Sequence, residues 1–325
     1  MREKFTRVVL PQAPATVQDI YDHWRKRYGN TRFVYPGEGY VNLRDRISPE
    51  EKEQIFAPAN RAMREIGKTH GLILPEDLLA RLIIVDGVTF QNIYRLETGS
   101  SPTMSLAGIT LANRMCLVNF DEVNYEASTH GKKPADLLKQ VGAHELWHSN
   151  EYAQDWVQET ANGHKNENPL KLKAKERFQR RKGIVVERPG EDNEVSMGLK
   201  LLKEGYTENL TRQTLAECGT DYHRRSRVNE LGLVEEIIQA VGSDHSFFLA
   251  SYTKFGFRKL VEDMEKLYGH HGLRRLALDV HSGYRAFCRR IVAEESDEVP
   301  LDPNPPKLYL SIIQKIQKRN LVFAH

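Results

Sequence analysis

The pentad His144-Glu145-Leu146-Trp147-His148 constrains this chain more than any other stretch. It sits in a segment that opens at Pro134 and reads as a helix to about Gln154. Leu137, Leu138, Val141, Glu145, His148 and Tyr152 fall close to one face of that helix. A helix turns once in 3.6 residues, so side chains four apart stack along one side. His144 and His148 therefore present two imidazoles at a spacing that one zinc ion can bridge. Glu145 lies beside the first histidine, close to the metal but not bound to it. From there its carboxylate can take a proton from a water that zinc has acidified. Trp147 falls between the two histidines on the helix's other side.

A catalytic zinc takes three protein ligands and keeps one position open. Residues 149–158, SNEYAQDWVQ, hold no third histidine. The segment Leu201-Leu202-Lys203-Glu204-Gly205-Tyr206-Thr207-Glu208 offers carboxylates instead. Glu204 and Glu208 are again four apart and share a helix face. One can bind the metal while the other accepts a hydrogen bond from a ligating histidine. Gly205, with no side chain, is expected to let this helix approach the histidine helix.

A His-Glu-x-x-His helix followed some tens of residues later by Glu-Gly-x-Thr-Glu resembles the gluzincin metallopeptidases. That group includes thermolysin, the zinc aminopeptidases and small minimal-core members. The resemblance covers about 105–155 and 198–225. It implies a zincin-like core, with His144, His148 and Glu204 as ligands of Zn2+ and Glu145 as the general base that returns a proton to the leaving amine. It makes Glu208 the partner of His144. It implies that an extended peptide pairs with the strand before the active helix, either Met115 to Phe120 or Ala107 to Leu111. It also implies a His or Tyr oxyanion donor from a later segment. Tyr222 is the choice here, brought back by a break at Gly219, with His223, His281 and Tyr284 as the other options. The chain departs from the family where Lys203 replaces the Asn that often precedes the ligand Glu. The polar stretch between the two motifs, 149–195, is also long, as a flap or a substrate-selecting insertion would be.

The rest of the chain frames this site. Ser48-Pro49-Glu50-Glu51 reads as a capped helix start, with the helix running to about Lys68 and ending near Gly71. Leu82 to Val85 reads as a strand closed by Asp86-Gly87, with Val88 to Tyr94 as its partner. Ala107–Leu111 and Met115–Phe120 add two strands joined by Ala112-Asn113-Arg114. Residues 80–120 are thus expected to make a small, mainly antiparallel sheet. Ile184-Val185-Val186 before Pro189-Gly190 suggests a hairpin. Helices are expected over 16–28, 199–217, 227–241, 256–268, 271–293 and 306–319. The fold class is α+β: an N-terminal helical segment over 1–75, a catalytic core over 76–225 with a polar insertion at 155–195, and a helical subdomain over 226–325.

Composition excludes little but is consistent. A formal net charge of +3 from 47 basic and 44 acidic residues announces no nucleic-acid or membrane partner. Three scattered cysteines form neither a disulfide framework nor a cysteine zinc site. The N-terminal stretch has no apolar core of signal-peptide length and no segment has the length of a membrane span, so a cytoplasmic location is expected. The basic run 171–182 reads as a solvated helix face. His270 and His271 fall in a turn and, being adjacent, are expected to point apart rather than form a second metal site. The function expected is a zinc metallopeptidase acting on a peptide or protein substrate. The alternatives are a catalytically silent protein of the same fold that binds a partner, and a nucleic-acid-associated factor using 171–182.

Overall fold

The computed structural model describes residues 5–9, 45–75, 78–98, 106–111, 114–158, 177–187, 193–223, 228–294 and 309–323. The helix expected over 16–28, Trp24, residues 171–176 of the basic run and the Pro189-Gly190 pair lie outside them. Among the described residues helices dominate and two small sheets accompany them, an α+β composition. No helix among them is long and apolar enough to cross a membrane. The chain divides into two compact units. One comprises Pro11–Asn150 and Leu210–His223; the other comprises Met1–Leu10, Glu151–Asn209 and Arg224–His325.

In the unit built on Pro11–Asn150, α1 (Pro49–Thr69) starts as its cap dictates. Ser48 Oγ accepts the Glu51 N–H at 3.1 Å and Pro49 occupies the first turn. Gly71 ends it at φ 75°, with the Leu72 N–H reaching the Gly67 carbonyl at 2.8 Å. The strand β2 (Leu82–Val85) follows, buried at all four positions.

Val88 to Tyr94 is not its partner strand. The structure places a helix there, α2 (Gly87–Thr98). Asp86 Oδ1 accepts the Thr89 N–H and Asp121 Oδ2 accepts the Gly87 N–H, both at 2.8 Å. The acids cap a helix start instead of closing a hairpin. The sheet is consequently mixed, not mainly antiparallel: β3 (Gly108–Thr110) pairs antiparallel with β4 (Cys116–Asn119), and β2 pairs parallel with β4 on its other side. A parallel partner needs a long crossover, which α2 supplies and local periodicity does not encode. Ile83, Val85, Phe90, Ile93, Leu111, Met115 and Leu117 form a core cluster on this sheet. Each buried side chain of this size contributes about 1.5–3 kcal/mol.

Asn119 caps α3 (Phe120–Thr129), and the histidine helix α4 (Pro134–Ser149) ends about a turn earlier than its sequence pattern suggests. From Gln140 to Ser149 only His144 is not fully buried. The helix is enclosed rather than amphipathic. Gly142 permits that enclosure, because a Cβ there would lie 2.3 Å from Phe56 Cε1 of α1.

The other unit holds an antiparallel sheet of order β1-β5-β6-β7: β1 (Phe5–Val9), β5 (Ala153–Gln158), β6 (Arg177–Lys182) and β7 (Val185–Glu187). Residues 177–182 are therefore a strand and not a solvated helix face. The hairpin of 184–186 forms with β6, across a turn at Gly183 with φ 58°. Arg181 is buried. It donates to the carbonyls of Gly183, Ala250, Thr253 and Lys254 at 2.5–3.1 Å and sits 4.9–5.0 Å from the ring centroids of Tyr152 and Phe257. Burial lowers its pKa to about 10, and the nearby Tyr152 acts in the opposite sense, so the guanidinium stays charged at neutral pH.

Next comes the glutamate helix α5 (Asn193–Glu217), which starts earlier than expected, then α6 (Val228–Val241). The sequence pattern missed α7 (His245–Tyr252); α8 (Phe257–Tyr268), α9 (Gly272–Glu294) and α10 (Leu310–Phe323) follow it. Gly205 serves α6, not the histidine helix. A Cβ there would lie 2.3 Å from the Glu230 carbonyl oxygen and 3.0 Å from Val234 Cγ2. One residue turns a helix by about 100°, which carries position 205 away from the face of Glu204.

Candidate metal centre

Helix α4 is held at both ends, and this sets the two imidazoles. At its C-terminus the Ser149 carbonyl accepts from Arg114 Nη1 at 2.9 Å and from Arg81 Nη1 at 3.3 Å. Two cations at this end suit the helix dipole. Trp147, fully buried, donates its Nε1–H to Thr214 Oγ1 at 3.0 Å, tying α4 to the last turns of α5. Near the start of α4 the Gln140 amide clasps His223, accepting its N–H at 2.9 Å and donating to its carbonyl at 2.8 Å.

In this frame the rings of His144 and His148 lie edge to face, 4.7 Å apart at 78°, with their Nε2 atoms 3.1 Å apart. Two ring nitrogens this close either share a proton or face a common cation. Two ligands of one tetrahedral zinc, each about 2.0–2.1 Å from it, are themselves separated by about 3.3 Å. The pair fits that demand.

Glu145 is buried and is gripped by β3. Thr110 Oγ1 lies 2.8 Å from its Oε2 and 2.9 Å from its backbone oxygen. Gly108, on the same strand, makes the space: a Cβ there would lie 2.8 Å from both Cγ and Oε1 of Glu145. In the order β2-β4-β3 the strand beside Glu145 is also the sheet edge, so Ala107–Leu111, not Met115–Phe120, lies where a peptide could add. Cys116 Sγ donates to the Glu145 carbonyl at 3.2 Å. Burial first, and the Glu145 charge second, push the Cys116 thiol up to about 12, so it stays protonated and inert.

On α5, Glu204 is partly exposed and Glu208, one turn on, is buried. His144 and His148 offer two imidazole ligands, and Glu204 is the carboxylate that the sequence sets beside them. Two imidazoles and a carboxylate are a donor set used by catalytic zinc sites. Lys203, the residue before Glu204, is buried. Its Nζ is 3.4 Å from Glu151 Oε2 and 3.7 Å from Glu204 Oε1. Glu151 is itself buried, so the ammonium between the two acids supplies the charge balance that burial demands.

The chain does break at Gly219, at φ 63°, where the Thr220 N–H closes back on the Leu215 carbonyl at 2.9 Å. The clasp at His223 and a 2.8 Å bond from Lys139 Nζ to Thr220 Oγ1 lay the following segment, with the partly exposed Tyr222, along the first half of α4. His281 and Tyr284 belong to α9, where His281 Nδ1 lies 3.9 Å from Glu194 Oε1. Sequence reasoning missed Thr110, Gly108 and Glu151. Only Gly108, a glycine inside a strand pattern, carried a signal of close approach.

Compared with known proteins, the chain matches no protein-family model, no curated protein and no solved structure.

Proposed function

We propose that this chain is a zinc-dependent peptidase of the gluzincin type, built on a zincin-like core. The observation that carries the reading is the pairing of His144 and His148, whose Nε2 atoms lie 3.1 Å apart, next to a Glu145 that is held in place by Thr110; Glu204 is assigned the third ligand position. Zinc held by the three would supply Lewis acidity, polarising a substrate carbonyl and acidifying a water. Glu145 would accept a proton from the attacking water and return it to the amine nitrogen that departs as the C–N bond breaks. Thr110 keeps its carboxylate aimed during both transfers. Glu208 is assigned the imidazole of His144, whose tautomer it would fix. The outer edge of β3 binds an extended peptide through main-chain hydrogen bonds. Tyr222 is assigned the developing oxyanion.

A catalytically silent zinc protein of the same fold is the second reading, and the intact, oriented Glu145 speaks against it. A purely structural site has no use for an aimed carboxylate. The nucleic-acid reading loses ground because Arg181, inside the basic run, is spent on four backbone carbonyls.

Glu145→Gln separates the first two. The substrate is a library of proteome-derived peptides, with cleavage read by mass spectrometry and zinc by elemental analysis. The proposal expects the variant to keep its zinc and lose about 100- to 10,000-fold of the cleavage rate. Equal cleavage by both proteins, or none by the zinc-loaded wild type, counts against it.

A further inference from the structure

We propose that Glu265, His270 and His271 form a second divalent-cation site, at the turn between α8 and α9. Their potential ligand atoms all lie within 4.8 Å of one another. The site is independent of the peptidase reading and lies on a different part of the chain.

Adjacent side chains diverge in a helix or a strand, which is why the sequence predicts that these two histidines point apart. The structure overturns that expectation through one backbone angle. His271 adopts φ 57°, and this brings its ring to 3.8 Å, centroid to centroid, from that of His270. Left-handed backbone is uncommon for any residue but glycine, and such positions gather at ligand clamps. The turn around it is tightly determined. The Gly269 N–H meets the Glu265 carbonyl at 2.8 Å, and a Cβ at Gly272 would lie 2.0 Å from the Met264 carbonyl oxygen. The His271 carbonyl is also committed, accepting the Arg275 N–H at 3.0 Å.

The charges on α8 point the same way. Glu262 is paired with Arg258, and Asp263 with Lys259 and Lys266. Glu265, the helix's remaining acid, has His270 as its ion-pair neighbour among the described residues, at 3.9 Å from Nδ1. When that imidazole is neutral, a carboxylate and two ring nitrogens converge on one spot with no cation among them. Imidazole suits Zn2+, Ni2+ and Cu2+, whereas Ca2+ and Mg2+ require more oxygen ligands than the turn provides. Both histidines are exposed, so waters complete the coordination and binding is weaker than at a buried site. A bound ion would clip the last turn of α8 to the start of α9 and raise the melting temperature with the logarithm of free ion once its concentration exceeds Kd.

The test is Zn2+ titration of the full chain by calorimetry, with thermal melts at each zinc level, for wild type, His270→Ala and His271→Gly. All changes are at the surface, so folding is not at stake. The proposal expects two zinc equivalents in wild type, one tight and one weaker. Both variants lose the weaker equivalent, and with it the second rise in melting temperature, while keeping the tight one. Without metal, His271→Gly melts a few degrees above wild type, because glycine relieves the left-handed backbone. A weaker equivalent that survives in both variants, or that is missing from wild type up to millimolar zinc, overturns it.

Discussion

Among the described residues two histidine pairs stand in opposite surroundings. His144 and His148 belong to a helix enclosed on nearly every side, and Glu145 between them is aimed by a neighbouring strand. His270 and His271 stand in an exposed turn, brought together by the backbone angle of one residue. In the first pair position is enforced by the packing of the helix that carries both imidazoles. In the second it is enforced by a glycine-flanked turn, and water competes for every ligand atom. On the proposed reading, one pair serves chemistry and the other a reversible clip.

Substitutions in the buried helix and in the exposed turn should differ most in stability. Trp147→Ala removes a fully buried indole and its bond to Thr214, and costs about 3–5 kcal/mol in urea unfolding. His270→Ala, measured in the same way without metal, stays within about 0.5 kcal/mol of wild type. Equal costs at both positions would dissolve the contrast.

A smaller effect tests whether the buried group is tuned for catalysis. Thr110→Val keeps the shape of the side chain and removes the hydroxyl beside Glu145 Oε2. It should lower kcat about tenfold, with KM and zinc content unchanged. A KM effect with constant kcat would mean that Thr110 touches substrate instead.

The smallest effect lies on α8, at an acid paired with two lysines. Burial alone would raise the Asp263 pKa, but hydrogen bonds from Lys259 and Lys266 outweigh it and hold the carboxyl below its ordinary value. A lowered folded-state pKa contributes stability above the ordinary carboxylate value, and that stability is lost as pH falls through the folded one. Asp263→Asn should therefore cost about 0.5 kcal/mol at neutral pH. The gap should close as pH falls below the ordinary carboxylate range.

What could be read from the sequence follows the range of the interaction that decides each feature. The histidine pair, the Ser48 cap and the β2 run depend on residues within a few positions of one another, and the sequence pattern locates them. Residues 88–94 misled because Asp86-Gly87 suits both a hairpin turn and a helix start, and the parallel pairing of β2 with β4 is a non-local choice. Arg181 looked like a surface cation because its partners, the carbonyls of residues 250–254, lie some seventy positions away. The grip of Thr110 on Glu145 spans 35 positions and left no pattern to find. The second group depended on a φ value, which no spacing rule reports.

The central claim is most directly tested by the zinc content of purified wild type, Glu204→Ala and Glu208→Ala after dialysis against a chelator. The account predicts one retained zinc per wild-type chain. It predicts that affinity falls on the order of a hundredfold or more in Glu204→Ala. In Glu208→Ala it predicts a fall of about ten- to a hundredfold. Undiminished zinc in both variants, or a loss confined to Glu208→Ala, would contradict it.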